Sequence, residues 1–373
     1  MTKFDGIVSF MVFAFIATAW SQEACRTPNQ REGRCVPRQE CQSFNDYFTP
    51  DRILNQHELN FLQQSQCSLK PPKICCPDRA PSTTITSTTP LPSSNSAGAL
   101  LPDPKKFECG FDMLADRIIG GNDTTLEEFS WFALLNYVNK KGKHEFKCGG
   151  SLINRRYVLT AAHCLDNVHL DGGERFVNVR LGEHNTATDV DCDEEVDENI
   201  RVCADPPQNI GFEEIILHPG YGKKDPNQHH DVALIRLARD AEMNWFVTPI
   251  CLPDAEFVGT RAGQNVTIAG FGHTGRSRHS GVKQKALVPI VDQQQCRQKW
   301  SRITLSEGQL CAGAQYSIDS CSGDSGGPLM TQSLYWTVEG IVSFGYKCGL
   351  EGWPGVYTRV SSYVDWIKSV IRA

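Results

Sequence analysis

The sequence lacks any excess of positive charge. Lysine and arginine total 37 against 43 aspartates and glutamates, which gives a formal net charge of −6. Proteins that bind nucleic acids through the phosphate backbone carry a basic surface instead. The composition therefore excludes a general nucleic-acid binder.

The sequence also lacks an apolar run long enough to cross a membrane. The N-terminal run, residues 7–19, has 13 residues, whereas crossing the hydrocarbon core takes about 20. A polar start with Lys3 precedes it, and the small residues Ala19 and Ser21 follow at cleavage-compatible spacing. The pattern predicts a secretory signal peptide over residues 1–21, with cleavage after Ser21 or after Ala19, and hence an extracellular protein.

Cysteine, in contrast, is plentiful. The 16 cysteines are an even number, which predicts a disulfide framework formed in an oxidising compartment. Six of them lie within residues 25–76, a segment too small to rely on an apolar core, so that three bridges would supply its stability. A zinc site is the alternative, but this segment has no paired C-x-x-C motif.

Large apolar residues are almost absent from residue 77 to about residue 104, where Ser, Thr and Pro dominate. Such a segment has no core and is typical of a linker. It is either a glycosylated or protease-exposed tether, or a plain spacer.

From Cys109 onwards, short β-rich runs recur between Gly, Pro and Asn. They lie at residues 157–160, 177–181, 232–237, 266–269 and 338–344. Many short strands of this kind predict an all-β sandwich or barrel.

The last residues carry the only convincing helical pattern. Its N-cap would be Ser361 or Ser362. Its apolar positions recur every three to four residues, at Val364, Ile367, Val370 and Ile371. We expect this helix to pack its apolar face on the body and assign it no chemistry.

Three motifs carry chemistry, and they occur in the order His, Asp, Ser. They are T-A-A-H-C around His163, D-V-A-L-I beginning at Asp231, and G-D-S-G-G-P around Ser325. With them the chain resembles the chymotrypsin-like serine proteases, which fold as two six-stranded antiparallel β-barrels with a C-terminal helix. The resemblance makes Ser325 the nucleophile, His163 the general acid and base, and Asp231 the carboxylate that orients the imidazole. No cofactor is implied for catalysis.

The resemblance extends to substrate binding. The backbone N–H groups of Gly323 and Ser325 would form the oxyanion hole. Asp319 would lie at the floor of the specificity pocket, where a buried carboxylate selects Arg or Lys; the alternative is a solvated loop acid. The remaining substrate-binding positions would be Ser343, Gly345 and Gly355, the two glycines admitting a long basic side chain.

The segment R-I-I-G-G beginning at Arg117 resembles the activation junction of this family. Cleavage after Arg117 would free the amino group of Ile118 to pair with Asp324 and so order the pocket. The chain is therefore expected to be a zymogen, with residues 77–117 as linker and activation segment and residues 118–373 as protease domain.

The N-terminal cysteines end in an adjacent pair before the linker, and this pattern resembles the arthropod clip domain, over residues 22–76. The likeness implies the bridges Cys25–Cys75, Cys35–Cys67 and Cys41–Cys76. In the protease domain the resemblance implies Cys109–Cys251, Cys148–Cys164, Cys296–Cys311 and Cys321–Cys348, which leaves Cys192 and Cys203 for each other.

Clip-domain proteases act in extracellular cascades of innate immunity, clotting and patterning, where they activate prophenoloxidase or process the Toll ligand precursor Spätzle. The resemblance thus implies protein partners: a zymogen or cytokine precursor as substrate, an upstream activating protease and a serpin inhibitor. A non-catalytic homologue that only binds partners is the alternative, against which the intact His163, Asp231 and Ser325 speak. A digestive trypsin would not explain the clip segment and the linker.

Basic residues are missing altogether from residues 189–198, which hold seven carboxylates. Together with L-G-E-H-N at 181–185, this run resembles the calcium loop of trypsins, in the lengthened form found in clip proteases. Oxygen ligands for a structural calcium ion would come from Glu183, Asn185, Thr188 and Asp191. The alternative is a solvated acidic loop.

Two N-x-S/T sequons complete the candidate sites. They mark Asn122 and Asn265 for glycosylation.

Overall fold

The computed structural model divides into two compact units, one running to Ile85 and the other from Thr86 to the end, with Ile53–Gln56 counted in the second. It describes residues 24–27, 32–36, 41, 65–69, 72–77, 100–104, 108–110, 122–166, 173–192, 203–254, 259–272, 280–315, 323–333, 335–346 and 350–373. The expected signal peptide, most of the linker and the activation junction lie outside these residues.

The first unit is a small antiparallel sheet stapled by disulfides. Its strands are β1 (Ala24–Arg26), β2 (Glu32–Val36), β3 (Gln66–Leu69) and β4 (Pro72–Pro77), in the order β1-β2-β4-β3. The bridges join Cys25 to Cys75, Cys35 to Cys67 and Cys41 to Cys76, the pairs that the clip resemblance implies. Covalent links of this kind stabilise a sheet by restricting the unfolded chain.

The second unit contains a closed antiparallel barrel that carries both His163 and Asp231. Around the barrel the strands follow the order β10-β11-β8-β7-β6-β9. Closure leaves no exposed strand edge. The bounds are β6 (Phe132–Val138), β7 (His144–Asn154), β8 (Tyr157–Thr160), β9 (Arg175–Leu181), β10 (Gln208–Leu217) and β11 (Ala233–Leu237).

A second six-stranded barrel follows, ordered β12-β15-β16-β17-β14-β13 and closed by pairing of β12 with β13. The short strand β5 (Asn122–Asp123) pairs with β13 on its outer side. The bounds are β12 (Asn265–Gly270), β13 (Gln284–Val291), β14 (Gln309–Gly313), β15 (Pro328–Gln332), β16 (Trp336–Phe344) and β17 (Pro354–Arg359). All five predicted β-rich runs are strands of the two barrels, and the fold expected from the resemblance is confirmed.

The two barrels share one apolar core. Phe129 packs edge-on against Trp336, with 5.2 Å between ring centroids. The Trp131 indole N–H lies 3.1 Å from the Met330 sulfur, and all four side chains are essentially buried. Because this core joins both barrels, it fixes one barrel against the other, and with them the residues that each contributes to the site.

Two α-helices lie among the described residues, and the sequence predicted one of them. Helix α1 (Gln293–Lys299) begins at the N-cap Asp292, whose side chain accepts from two backbone N–H groups. Helix α2 (Val364–Val370) is the predicted C-terminal helix, and its apolar residues Val364 and Ile367 are buried.

The predicted N-cap of α2 was wrong. Ser361 and Ser362 belong to the 3-10 turn Val360–Ser362, and Tyr363 is the N-cap, without a side-chain hydrogen bond. The helix therefore starts later than the serine pattern indicated, because a tighter turn occupies the two serines.

Four further bridges brace the second unit, and these too are pairs implied by the resemblance. The bridges join Cys109 to Cys251, Cys148 to Cys164, Cys192 to Cys203 and Cys296 to Cys311. The remaining pair, Cys321 with Cys348, lies outside the described residues.

No helix within the described ranges has the length and apolar character needed to cross a membrane.

Candidate active site

His163 lies in the 3-10 turn Ala162–Cys164, directly after strand β8. The bridge Cys148–Cys164 ties this turn to strand β7. On its other side the Tyr137 hydroxyl donates a hydrogen bond of 2.8 Å to the Cys164 carbonyl. The imidazole is thus carried by a turn that a covalent bond and a buried hydrogen bond hold in place.

Asp231 precedes strand β11 and is fully buried. Its Oδ1 accepts from the backbone N–H of His163 at 2.9 Å, and its Oδ2 lies 2.8 Å from His163 Nδ1. The Ser343 hydroxyl donates to the same Oδ2 at 2.5 Å, and the Thr358 hydroxyl donates to the Asp231 backbone carbonyl at 2.8 Å. Every oxygen of Asp231 therefore has a donor, as a buried carboxylate requires.

The interaction between His163 and Asp231 favours the ionised form of both residues. Burial lowers the pKa of His163, but the charge and hydrogen bond of Asp231 outweigh it, and the net pKa is raised. Burial raises the pKa of Asp231, yet His163 and the donated hydrogen bonds leave the net pKa lowered. With Nδ1–H assigned as the donor to Asp231, Nε2 is left as a proton acceptor.

Ser325 lies in a sharp turn ahead of strand β15, flanked by Gly323 and Gly326 at φ +103° and +76°. Glycine adopts this left-handed region without strain. The Ser325 carbonyl accepts from the backbone N–H of Gly149 in strand β7 at 2.8 Å. The turn of the second barrel is thereby attached to the first barrel.

Gly326 shows how closely the two motifs meet. A Cβ at this position would collide with the Thr160 hydroxyl and with the Gly149 carbonyl, and would lie 3.2 Å from the Ala161 nitrogen. Thr160 and Ala161 immediately precede the turn of His163. The structure therefore brings the Ser325 turn against the segment that carries the imidazole.

Asp324 directs its carboxylate onto the end of strand β12. The Gly272 N–H donates to its Oδ1 at 2.8 Å, and a Cβ at Gly270 or at Gly272 would collide with the carboxylate. The predicted partners Arg117 and Ile118 lie outside the described residues.

The predicted substrate pocket is described in part. Asp319 lies outside the described residues. Apart from its chain neighbours, no described residue has an atom within 4 Å of the position that a Cβ on Gly345 would take, so the space beside it is open toward the described part of the chain. Gly355 pairs with Ala312 between strands β17 and β14, and the Ser343 hydroxyl is engaged by Asp231.

Comparison with known proteins matches both units. A family model described as Trypsin covers residues 118–367. A second model, described as the regulatory CLIP domain of proteinases, covers residues 25–76. The chain is also 58% identical over 363 residues to CLIP domain-containing serine protease B10 of Anopheles gambiae, covering 97% of this chain and 98% of the relative. The chain belongs to the CLIP-domain serine proteases.

Further members of this CLIP-domain family extend the match. Phenoloxidase-activating enzyme 1 of Spodoptera litura is 40% identical over 373 residues, covering 98% of each chain. Among solved structures, the Drosophila Grass clip serine protease of the Toll pathway matches with a TM-score of 0.63 and 31% identity, covering 93% of this chain and 96% of that one. The similarity thus spans nearly the whole CLIP-domain chain.

Sequence reasoning missed an aromatic cluster beside the open space at Gly345 in this CLIP-domain protease. The Tyr346 ring stacks on Trp353 at 4.5 Å and is 57% exposed. Trp300 meets both Trp353 and Phe344 edge-on, at 5.5 and 5.3 Å. Phe344, Tyr346 and Trp353, close together in sequence, were the available signal, whereas Trp300 joins them from a distant segment.

His229 and His230 directly precede Asp231 in the sequence. The His229 ring contacts Asp225 at 3.0 Å and the Thr304 carbonyl at 2.8 Å. His230 has a left-handed backbone with φ +56°, and its ring stacks on His218 at 4.8 Å. Both rings are engaged with neighbours other than His163.

The acidic loop of the CLIP-domain protease gathers its four predicted ligands around Asp191. The Asp191 carboxylate accepts from the backbone N–H groups of His184 and Asn185 at 3.0 and 2.8 Å, and from the Thr188 hydroxyl at 2.5 Å. The donated hydrogen bonds overcome its burial and lower the pKa of Asp191.

Glu183 in the same loop is less well satisfied. It is 4% exposed, and its Oε2 accepts from Arg180 at 2.8 Å, whereas its Oε1 is buried without a hydrogen-bond partner among the described residues. Burial, followed by the charge of Asp191, outweighs Arg180 and raises the pKa of Glu183. One oxygen of this carboxylate is thus left unsatisfied by the described part of the chain.

The two candidate glycosylation sites stand at strand starts. Asn122 opens strand β5 and Asn265 opens strand β12. Asn265 is exposed, as a glycan site requires.

Proposed function

We propose that the chain is the secreted zymogen of a trypsin-like serine endopeptidase. The hydrogen-bonded pair of His163 and Asp231, held against the Ser325 turn, is the observation that carries this proposal. Against a homologue that only binds partners stands the intact set of His163, Asp231 and Ser325.

The proposed mechanism follows from the roles these groups can take. His163 Nε2 removes the Ser325 hydroxyl proton as that oxygen attacks the scissile carbonyl, and later protonates the leaving amine. Asp231 holds the imidazole in the required tautomer and stabilises its protonated form. The N–H groups of Gly323 and Ser325 stabilise the oxyanion, each such donor contributing about 3 to 4 kcal/mol in comparable sites.

Specificity for Arg or Lys rests on Asp319 as the pocket carboxylate. The open space at Gly345 supports a cleft into which a long side chain enters. Asp319→Ser should remove most activity on Arg and Lys peptides while Ser325 still reacts with an organophosphate. An unchanged Arg preference would place the pocket elsewhere.

Activation is proposed to follow cleavage between Arg117 and Ile118, with the new amino group pairing with Asp324. The carboxylate of Asp324 lies at the strand β12 end beside the Ser325 turn. A charge pair formed there would order the backbone that holds the oxyanion donors.

The proposed setting is an extracellular cascade, either melanisation or Toll-ligand processing. Relatives carry the names phenoloxidase-activating enzyme and clip serine protease of the Toll pathway. The partners would be a zymogen or cytokine precursor as substrate, an upstream protease as activator and a serpin as inhibitor. Seven disulfides among the described residues fit an oxidising compartment.

The test uses the full chain, secreted from insect cells, in three forms: wild type, Arg117→Ala and Ser325→Ala. We expect wild type cleaved after Arg117 to hydrolyse Arg and Lys peptides, and both variants to be secreted, folded and inactive. Sequencing the new N-termini of candidate zymogens then identifies the substrate. A cleaved wild type that neither hydrolyses peptides nor reacts with an organophosphate would instead be the non-catalytic homologue.

A structural calcium ion in the acidic loop forms a second part of the proposal. The buried, unpartnered Oε1 of Glu183 beside Asp191 fits a cation that prefers carboxylate and carbonyl oxygens. Glu183, Asn185, Thr188 and Asp191 would hold the ion, which would neutralise the two facing carboxylates.

Calcium at 100 times its dissociation constant should stabilise the fold by about 2.7 kcal/mol. The melting temperature should rise with calcium but not with equal magnesium, which demands octahedral geometry. Glu183→Gln should reduce the rise, whereas Asp189→Asn, an exposed carboxylate of the same loop, should keep it. Equal shifts with both ions, or none, would leave a solvated acidic loop.

A further inference from the structure

A second buried carboxylate lies close to the catalytic turn. Asp166 is 1% exposed, and its backbone N–H donates to the Ala162 carbonyl at 3.2 Å, so it belongs to the same turn as His163. Its Oδ2 accepts from the Tyr221 hydroxyl at 2.6 Å. A carboxylate is rarely buried this completely unless it is paired or hydrogen-bonded.

Tyr221 ties this carboxylate to the loop that leads to Asp231. Its backbone N–H donates to the His218 carbonyl at 2.9 Å, and its ring packs against the shared core. Burial, the hydrogen bond to Asp166 and the charge of Asp231 all raise the pKa of Tyr221. The hydroxyl therefore stays protonated and keeps donating to Asp166.

Among the described residues, the ionisable groups close to His163 or to its partner Asp231 include members of three segments. The turn itself supplies Asp166, the loop before strand β11 supplies Asp231 and Tyr221, and the C-terminal segment supplies Tyr363, whose pKa rises through burial and the charge of Asp231. Both carboxylates raise the pKa of His163, Asp231 as its hydrogen-bond partner and Asp166 by charge alone.

We propose that Asp166, fixed by Tyr221, is a positioning residue of the catalytic machinery whose negative charge stabilises the protonated form of His163. This inference rests on the proposed protease activity. Asp231 orients the imidazole through its hydrogen bond to Nδ1 and accepts a second hydrogen bond from the His163 backbone. Asp166 adds negative charge from the same turn, which makes His163 a stronger base.

The charge of Asp166 should have a measurable effect on the pKa of His163. An opposite charge at contact distance shifts a pKa by about 1 to 3 units, and a more distant one acts less. Removing the charge should move the acid limb of the pH profile of kcat/KM down by about half to one pH unit. The weaker base should also lower the plateau by about two- to threefold.

The experiment compares Asp166→Asn with wild type and with Asp240→Asn, all as activated full chains. The amide of Asn still accepts from Tyr221, so only the charge is lost. Asp240 is a surface carboxylate with a side chain 52% exposed, paired with Arg156, and its removal changes net charge equally. Hydrolysis of an Arg-anilide peptide is followed from about pH 5 to about pH 9.

We expect the downward shift for Asp166→Asn and none for Asp240→Asn. A shift no larger than that of Asp240→Asn overturns the inference while leaving the proposed activity intact. Should Asp166→Asn fail to fold, Asp166→Leu with Tyr221→Phe removes the donor and the acceptor of the Tyr221–Asp166 hydrogen bond together. The double variant should show the same shift, and an unmoved acid limb overturns the inference again.

Discussion

The candidate active site and the acidic loop of the second unit both bury carboxylates, but they differ in how fully hydrogen bonds satisfy the carboxylate oxygens. At the active site Asp231 is fully buried, its oxygens all accept hydrogen bonds, and its pKa is lowered. In the acidic loop Asp191 is satisfied in the same way, but Glu183 faces it with one buried oxygen unpartnered and a raised pKa. The comparison teaches that a buried carboxylate whose oxygens all accept hydrogen bonds keeps its charge, whereas one with an unpartnered oxygen calls for a proton or a cation.

Removing the charge of Asp231 at the candidate active site should have the largest effect on activity. Asp231→Asn keeps the shape but presents an amide that favours the wrong imidazole tautomer. We expect kcat on Arg peptides to fall by about 10⁴, with little change in KM. Asp365→Asn, an exposed carboxylate on helix α2, should leave kcat unchanged, and equal losses in both variants would contradict this account.

Removing one hydrogen-bond donor to Asp231 should lower activity less than removing the Asp231 charge. Ser343→Ala deletes the 2.5 Å hydrogen bond to Asp231 Oδ2 and leaves that oxygen with His163 alone. A hydrogen bond to a charged group contributes about 1.5 to 3 kcal/mol, so kcat/KM should drop by about 10- to 150-fold. An unchanged kcat/KM would show that Oδ2 gains nothing from the hydroxyl.

Removing the charge of Glu183 in the acidic loop should instead be favourable, because it should stabilise the protein. Because the folded pKa of Glu183 is raised, its folded state holds the proton more tightly than the unfolded state, and stability is lost as pH rises from the unfolded pKa through the folded one. In chelator at pH 7, Glu183→Gln should therefore stabilise the protein, by about 1 kcal/mol. Thermal melting at pH 7 and at pH 4 measures this, since the gain should vanish at the acid end, whereas a destabilised variant at pH 7 would contradict it.

Removing an exposed ion pair should have the smallest effect of these changes. Lys143 and Glu145 lie 2.5 Å apart with side chains 69% and 38% exposed. Such pairs contribute about 0.2 to 1 kcal/mol and are screened by salt. Lys143→Ala should change the melting temperature by no more than about two degrees, and a larger loss would mean that exposure does not separate this pair from the buried ones.

The parts of the fold that the sequence predicted are those with a strong local pattern. Residues 157–160 are β-rich and became strand β8, and the apolar spacing at Val364 and Ile367 became helix α2. Helix α1 was missed because Cys296 is its only buried residue. A polar, glutamine-rich segment shows no apolar period, and only the N-cap Asp292 signals its start.

The candidate site shows the same limit. His163, Asp231 and Ser325 stand in local motifs, which the sequence displays directly. The contact of Ser343 with Asp231 joins residues 112 positions apart, and that of Tyr221 with Asp166 joins residues 55 apart. Such contacts arise from the packing of the barrels, and no spacing within one segment encodes them.

The hydrogen bond from Gly149 to the Ser325 carbonyl has a consequence for how this molecule tolerates change. Donor and acceptor are both main-chain atoms, so no exchange of one side chain for another deletes the bond, and at position 149 only proline would remove the donor. Surface loops and side chains can therefore diverge while the Ser325 turn stays joined to the strand that the Cys148 bridge links to the His163 turn. Under the proposed function, substrate preference can thus change without displacing the residues proposed to carry out catalysis.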